Sequence, residues 1–172
     1  MVHLHICTVI KFIIKNLPPT LPLTPQQALP KLQRFCAYQE RCHHEVKEKL
    51  AEYGIYGKDA DQIISTLIEN NYLNEERFAI QFAGGRFRTK EWGRRKIQYA
   101  LKQKGVSDYC IRKAMQQIDE DDYEKTLLKL AEKKWASLNR EKNIFSKKRK
   151  LQDFLLQRGF ETDRIAGWLK KL

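Results

Sequence analysis

The 172-residue chain carries 33 Lys and Arg against 21 Asp and Glu, a net charge of +12, with only 8 Gly, 5 Pro and 4 Cys. A chain of this length makes one domain or a short array, and if compact it buries roughly 70% of the surface its unfolded form exposes. Three of the prolines (Pro18, Pro19, Pro22) fall near the start, long stretches beyond them are unbroken, and no strand-like alternation appears. These features exclude a β architecture and predict an all-α fold.

Residues 1–23 form an N-terminal extension, expected to be poorly ordered. Its apolar run, Leu4 to Ile14, is interrupted by Lys11 and is too short for a bilayer, which needs about 20 apolar residues. No basic start or small-residue cleavage site marks it as a signal peptide. No membrane contact is expected, although an anchor for a membrane or partner is the other reading of this run. Structure is predicted to begin at Thr24-Pro25, an N-cap followed by Pro at the first helical position, with a helical stretch over Leu29–Phe35.

From there one phrase recurs three times. Leu50-Ala51-Glu52-Tyr53-Gly54, Leu101-Lys102-Gln103-Lys104-Gly105 and Leu155-Leu156-Gln157-Arg158-Gly159 each read Leu, three mostly polar residues, then Gly. An apolar residue stands four positions before each Leu (Val46, Ile97, Leu151), and another follows each Gly (Ile55, Val106, Phe160). Apolar residues at i and i+4 share a helical face. Gly supplies the left-handed residue that closes a helix, and its apolar neighbour folds back onto the last turn. Each phrase is therefore a helix with a Gly stop, and a spacing of about fifty residues signals a stacked unit.

Further helices flank each phrase. Ile64/Leu67/Ile68, Ile111/Ala114/Met115 and Ile165/Trp168/Leu169 share the spacing of an amphipathic helix. Ser107 and Thr162 are placed as N-caps of the second and third of these. In the first unit the Ile stands four residues further from its Gly, which predicts a longer loop around Tyr56-Gly57-Lys58-Asp59. Ahead of the second phrase run Phe78, Ala79, Phe82, Ala83 and Phe87. Ahead of the third run Leu127, Leu128, Leu130, Ala131 and Trp135, in a helix beginning near Tyr123. The chain thus reads as three tandem three-helix repeats, at 24–73, 74–118 and 119–172. Helical spacing assigns Phe78, Phe82, Tyr99 and Trp135 to the core, whereas Trp92, beside Gly93, reads either as a staple closing its turn or as an exposed contact.

Catalytic and metal chemistry find little support. Cys7, Cys36, Cys42 and Cys110 form no Cys-x-x-Cys pair and read as buried, reduced residues. Cys42, His43 and His44 are adjacent, and neighbouring helical positions diverge by about 100°, so the three converge poorly on one ion. No Gly-rich phosphate loop or Gly-x-Ser-x-Gly elbow is present. The acidic cluster Asp119-Glu120-Asp121-Asp122 is explained more simply by the positive end of the following helix than by a divalent cation. No enzyme activity, metal or cofactor is expected.

Charge is the strongest chemical signal. Arg86, Arg88, Lys90, Arg94, Arg95, Lys96, Lys102 and Lys104 crowd one segment opposed only by Glu91, with Phe87, Trp92 and Tyr99 interleaved. A second block, Lys147-Lys148-Arg149-Lys150, stands ahead of the third phrase. One basic helix face can be merely solvated. Two blocks ahead of successive phrases point instead to a polyanion or an acidic protein groove, with salt-sensitive binding. The contacts expected first are Arg86, Arg88, Arg94, Arg95 and Lys96, then Lys147, Lys148, Arg149 and Lys150, with Lys102 and Lys104 in the same patch.

Four motifs together resemble the RecX family of bacterial recombinase regulators. Arg41-Cys42-His43-His44-Glu45-Val46-Lys47-Glu48-Lys49-Leu50 is similar to its first-unit signature, and Tyr72-Leu73-Asn74-Glu75-Glu76-Arg77-Phe78-Ala79 to its hinge. Trp92-Gly93-Arg94-Arg95-Lys96-Ile97, closing on Leu101 and Lys104-Gly105-Val106, resembles the second unit, and Arg158-Gly159-Phe160 the close of the third. The chain departs at Val46, where the family favours Leu, and at Asn74, where it favours Asp. The resemblance covers about 28–172. It implies an elongated, curved, non-enzymatic array; the reduced cysteines point to the cytoplasm, and a monomer is expected. Such an array lies in the groove of a RecA-type recombinase filament on single-stranded DNA and lowers its ATPase, growth, strand exchange and co-protease activity.

A stand-alone DNA-binding protein built of helix-turn-helix-like modules is the rival reading. A sequence-specific reader carries base-edge donors on a helix that follows a tight turn. The basic run here precedes Gly105 instead, which favours backbone or protein contact.

Overall fold

The computed structural model describes residues 23–170, which hold nine α-helices and no strand. In chain order these are α1 (Pro25–Tyr38), α2 (His43–Glu52), α3 (Gly57–Glu69), α4 (Glu75–Lys90), α5 (Arg94–Gln103), α6 (Asp108–Gln116), α7 (Glu120–Ser137), α8 (Ile144–Arg158) and α9 (Thr162–Leu169). Residues 1–22, with the expected extension and Cys7, lie outside the description. Among the described residues the chain divides into two compact units, one of residues 23–38 with Val46–Tyr72, the other of Gln39–Glu45 with residues 73–170.

In the first unit, α1 begins as expected. The Thr24 hydroxyl accepts from the Gln27 amide at 3.3 Å while the Gln27 side chain accepts from the Thr24 amide at 3.1 Å, a reciprocal capping box. Ala28, Leu32 and Cys36 from α1, Val46 and Leu50 from α2, and Ile63, Ile64 and Leu67 from α3 are buried. The expected long loop is not there. α3 starts at Gly57, as soon after Ile55 as α6 starts after Val106, so the four extra residues lengthen the helix to 13 residues against 9 in α6. Four residues advance a helix by little more than one turn, so Ile63, Ile64 and Leu67 keep the face that Cys110, Ile111 and Ala114 use in α6.

All three Gly stops form. Gly54, Gly105 and Gly159 have φ of 75°, 71° and 91°. The amides of Ile55, Val106 and Phe160 donate to the carbonyls of Leu50, Leu101 and Leu155 at 3.0, 3.2 and 3.2 Å. Those apolar residues are buried behind the last turn, as a Schellman closure requires.

The second unit has one continuous core, built from α4 to α9 around Phe87, Ile97, Leu101, Tyr123, Leu151 and Phe160. Helix starts depart from expectation in two places. α7 begins at Glu120, not near Tyr123, with Asp119 as its cap accepting from the Asp122 amide at 2.9 Å. The acidic cluster is therefore the cap and first turn itself, where carboxylates meet the positive helix end. The cap of α9 is Glu161 and Thr162 lies inside the helix, whereas Ser107 caps α6 as read. Phe78 is buried, and Phe82 and Trp135 pack against the core. Tyr99 is 66% exposed, because it stands two residues from both Ile97 and Leu101, on the opposite side of α5.

Gly85, inside α4, has free space where a Cβ would be. Gly85→Ala is therefore expected to stabilise the chain by about 0.5–1 kcal/mol, seen as a higher urea midpoint with unchanged helicity.

Candidate binding surface of the second unit

Two helix ends meet in this unit. The first amides of α5 and the last carbonyls of α8 have no partners within their own helices, and here they satisfy each other. The Gly93 amide donates to the Arg158 carbonyl at 2.8 Å and the Arg95 amide to the Gly159 carbonyl at 3.0 Å. Between them, the Arg94 amide donates to the Tyr123 hydroxyl at 2.9 Å. Close approach demands glycine on both sides: a Cβ at Gly93 would overlap the Gly159 carbonyl and the Phe160 amide nitrogen, and one at Gly159 would overlap Lys96.

Tyr123 is the hub of the joint. It is 0% exposed, its ring meets Phe87 at 5.8 Å and Phe160 at 5.2 Å, and its hydroxyl donates to Glu161 Oε2 at 2.7 Å. The guanidinium groups of Arg94 and Arg164 lie 4.2 and 5.4 Å from its ring centre. Burial, then the Glu161 carboxylate, pushes the Tyr123 phenol well above its ordinary value. Glu120 pairs with Arg164 and, at 3.0 Å, with Arg94. Arg164 first and Arg94 second hold its carboxyl below the usual range.

The cations expected as contacts fall into two groups. Several are turned to internal work. Arg94, with 16% of its side chain exposed, also donates to the Ile118 carbonyl at 3.1 Å. Lys96 donates to the Gln157 carbonyl at 3.1 Å, and with Arg86 it covers the Trp92 ring at 4.8 and 5.2 Å. Trp92, packed against the core, is thus closer to a staple than to a free contact. Lys104 pairs with Glu45 at 2.7 Å, Lys150 with Glu141 at 2.6 Å, and Lys148 donates to the Leu169 carbonyl at 3.2 Å. Lys147 sits 4.1 Å from the Trp135 ring centre.

The other group faces solvent. Arg88, Arg95, Lys102 and Arg149 are exposed. Arg95 has only a long bond to the Thr162 hydroxyl at 3.4 Å, and Lys102 an exposed pair with Asp108 at 3.3 Å. The joint adds two cations that the sequence reading did not select as contacts: Arg158 donates to the Lys90 carbonyl at 2.9 Å, so Arg158 and Lys90 stand with Arg95 and Lys96 around the joined helix ends. The amides of Gly93, Arg94 and Arg95 at the start of α5 are taken up by the joint and are not open to an anion.

Other chemistry is thin. Burial raises the Cys42 and Cys110 thiols, the reverse of what a nucleophile needs. Among the described residues no group of three His, Cys, Asp or Glu side chains is placed to hold a metal ion, and no helix is long and apolar enough to cross a membrane.

Comparison with known proteins agrees with this architecture. Residues 74–115 match the family model for the second three-helix domain of RecX, and residues 120–169 that for the third. Regulatory protein RecX of Clostridium perfringens (strain 13 / Type A) is 38% identical over 129 residues, 74% of this chain and 60% of that protein. The same-named protein of Pelodictyon phaeoclathratiforme is 35% identical over 130 residues, 74% of this chain and 78% of that one. The chain thus spans about three fifths of the Clostridium protein's length. The crystal structure of RecX from Lactobacillus salivarius shares the fold, with a TM-score of 0.77 at 24% identity over 86% of this chain and 96% of that one. With two of its three-helix segments matched and a relative 35% identical over 78% of that protein's length, this chain belongs to the RecX family of regulatory proteins.

Proposed function

We propose that the chain, as a cytoplasmic, non-enzymatic monomer built of three-helix repeats at 24–73, 74–118 and 119–172, binds a RecA-type recombinase filament on single-stranded DNA. Binding inhibits the filament's ATPase, growth and recombination activities. The observation that carries this reading is the exposed basic surface of the second unit, where Arg88, Arg95, Lys102 and Arg149 face solvent with little internal pairing. An excess of exposed cations steers the protein to an acidic groove or to phosphates and makes the association salt-sensitive. The internally bonded cations, Arg94 foremost, shape that surface rather than contact the partner.

The test is the single-stranded-DNA-dependent ATPase of the cognate recombinase. Substoichiometric chain is expected to suppress it, and Arg88→Glu combined with Arg95→Glu to weaken the suppression about tenfold while the circular dichroism stays helical. Suppression unchanged by that pair moves the contact surface elsewhere. No suppression at equimolar chain, together with tight binding to naked duplex, favours the stand-alone DNA-binding reading.

A further inference from the structure

The third helices of the three-helix segments turn unlike faces to solvent. On its outer face α3 carries Gln62, Ser65, Thr66 and Glu69, and α9 carries Asp163, Ala166 and Gly167. α6 exposes Tyr109, Arg112, Lys113 and Gln116. Their spacing of i, i+3, i+4 and i+7 lines them along one face, opposite buried Cys110, Ile111, Ala114 and Met115. The four surround a shallow cleft of about 170 Å³. Tyr109 is 54% exposed, with the Lys113 ammonium 5.8 Å from its ring centre. Arg112 makes no hydrogen bond or ion pair among the described residues. Asp108, the acid of the first turn, is already paired with Lys102.

These residue types are the ones that read a double helix. Arg and Gln present the paired donors and acceptors that match purine edges, Lys meets phosphate, and Tyr supplies a hydroxyl and a flat apolar face. The helix follows the tight Gly105 turn after α5 and packs on both α4 and α5, the order in which a helix-turn-helix delivers its second helix to the major groove. No aliphatic side chain stands on the stripe, as an anchor into an apolar protein socket would require. In the sequence this face is overshadowed by the dense basic run before Gly105, which outweighs the few donors after it.

We infer that the outer face of α6 docks in the major groove of double-stranded DNA through Tyr109, Arg112, Lys113 and Gln116, a contact that needs no recombinase. Fluorescence anisotropy of the full chain with a labelled duplex, and with one of its single strands, tests this. Arg112→Ala combined with Lys113→Ala is expected to weaken duplex binding about tenfold and to lower the slope of log affinity against log salt by about 1 to 2. Lys58→Ala with Lys133→Ala removes the same charge from exposed sites elsewhere and is expected to change duplex binding far less. Gln116→Ala removes no charge and is expected to cost several-fold against the duplex and nothing against the single strand. Equal losses in both double variants, absence of duplex binding by the wild type, or a greater loss for the single strand overturns the inference. Unchanged duplex affinity with weakened recombinase inhibition overturns it too, and reassigns the face to an acidic protein.

Discussion

Gly93→Ala is expected to destabilise the chain by about 3 kcal/mol, read as a lower urea midpoint in a circular dichroism titration. The methyl group would overlap backbone atoms of Gly159 and Phe160, and backbone cannot turn aside as a side chain can. Relief requires the α5 start and the α8 end to separate, which would release the amide–carbonyl pairs joining Gly93 to Arg158 and Arg95 to Gly159. Gly159→Ala is expected to lose as much or more, because a left-handed φ of 91° adds strain to the overlap with Lys96. Gly105→Ala is the internal control. Its φ of 71° is also left-handed, but a Cβ there meets nothing within 4 Å, so about 1 kcal/mol is expected. Equal losses at 93 and 105 would mean that the helix ends do not hold the unit together.

Tyr123→Phe is expected to cost about 1–3 kcal/mol, although it keeps the ring and its packing. It strands two partly buried partners: the Glu161 carboxylate loses its donor and the Arg94 amide its acceptor. The same hydroxyl gives the wild type an alkaline signature. Its folded pKa is raised above the unfolded value, so folding favours the protonated phenol. The stabilisation is complete below the unfolded pKa, about 10. Above it the unfolded chain ionises first, and stability falls by about 1.4 kcal/mol per pH unit until the folded phenol ionises as well. Stability measured from pH 9 upward should carry this slope in the wild type and lack it in Tyr123→Phe. Identical slopes would remove Tyr123 from the alkaline transition.

Much of the fold was legible because its signals are local. A leucine, the apolar residue four before it, a left-handed glycine and the apolar residue after it are bound within a few residues of chain, and all three closures form where that pattern stands. Thr24 and Ser107 were readable as caps for the same reason. The errors were also local. Asp119 captures the start of α7 because a side-chain cap outcompetes the first apolar residue as the boundary, and Tyr99 was drawn into the core by its neighbours although it stands on the far side of α5. The binding surface was less legible. Twelve cations stand out in the sequence, but nothing in it distinguishes Arg94, folded inward over Tyr123, from Arg95, which faces solvent one residue later.

By itself the sequence determined the helices, their Gly stops, the three-fold repetition and the basic character of the second half, all consequences of residue type and short-range spacing. Only the tertiary structure decided which of those charges are spent inside. It alone joined the end of α8 to the start of α5, because unpaired amides and carbonyls at helix ends must find partners and the nearest were some sixty residues away along the chain. That joint fixes Arg94 as part of the core's rim and leaves Arg88, Arg95, Lys102 and Arg149 facing solvent.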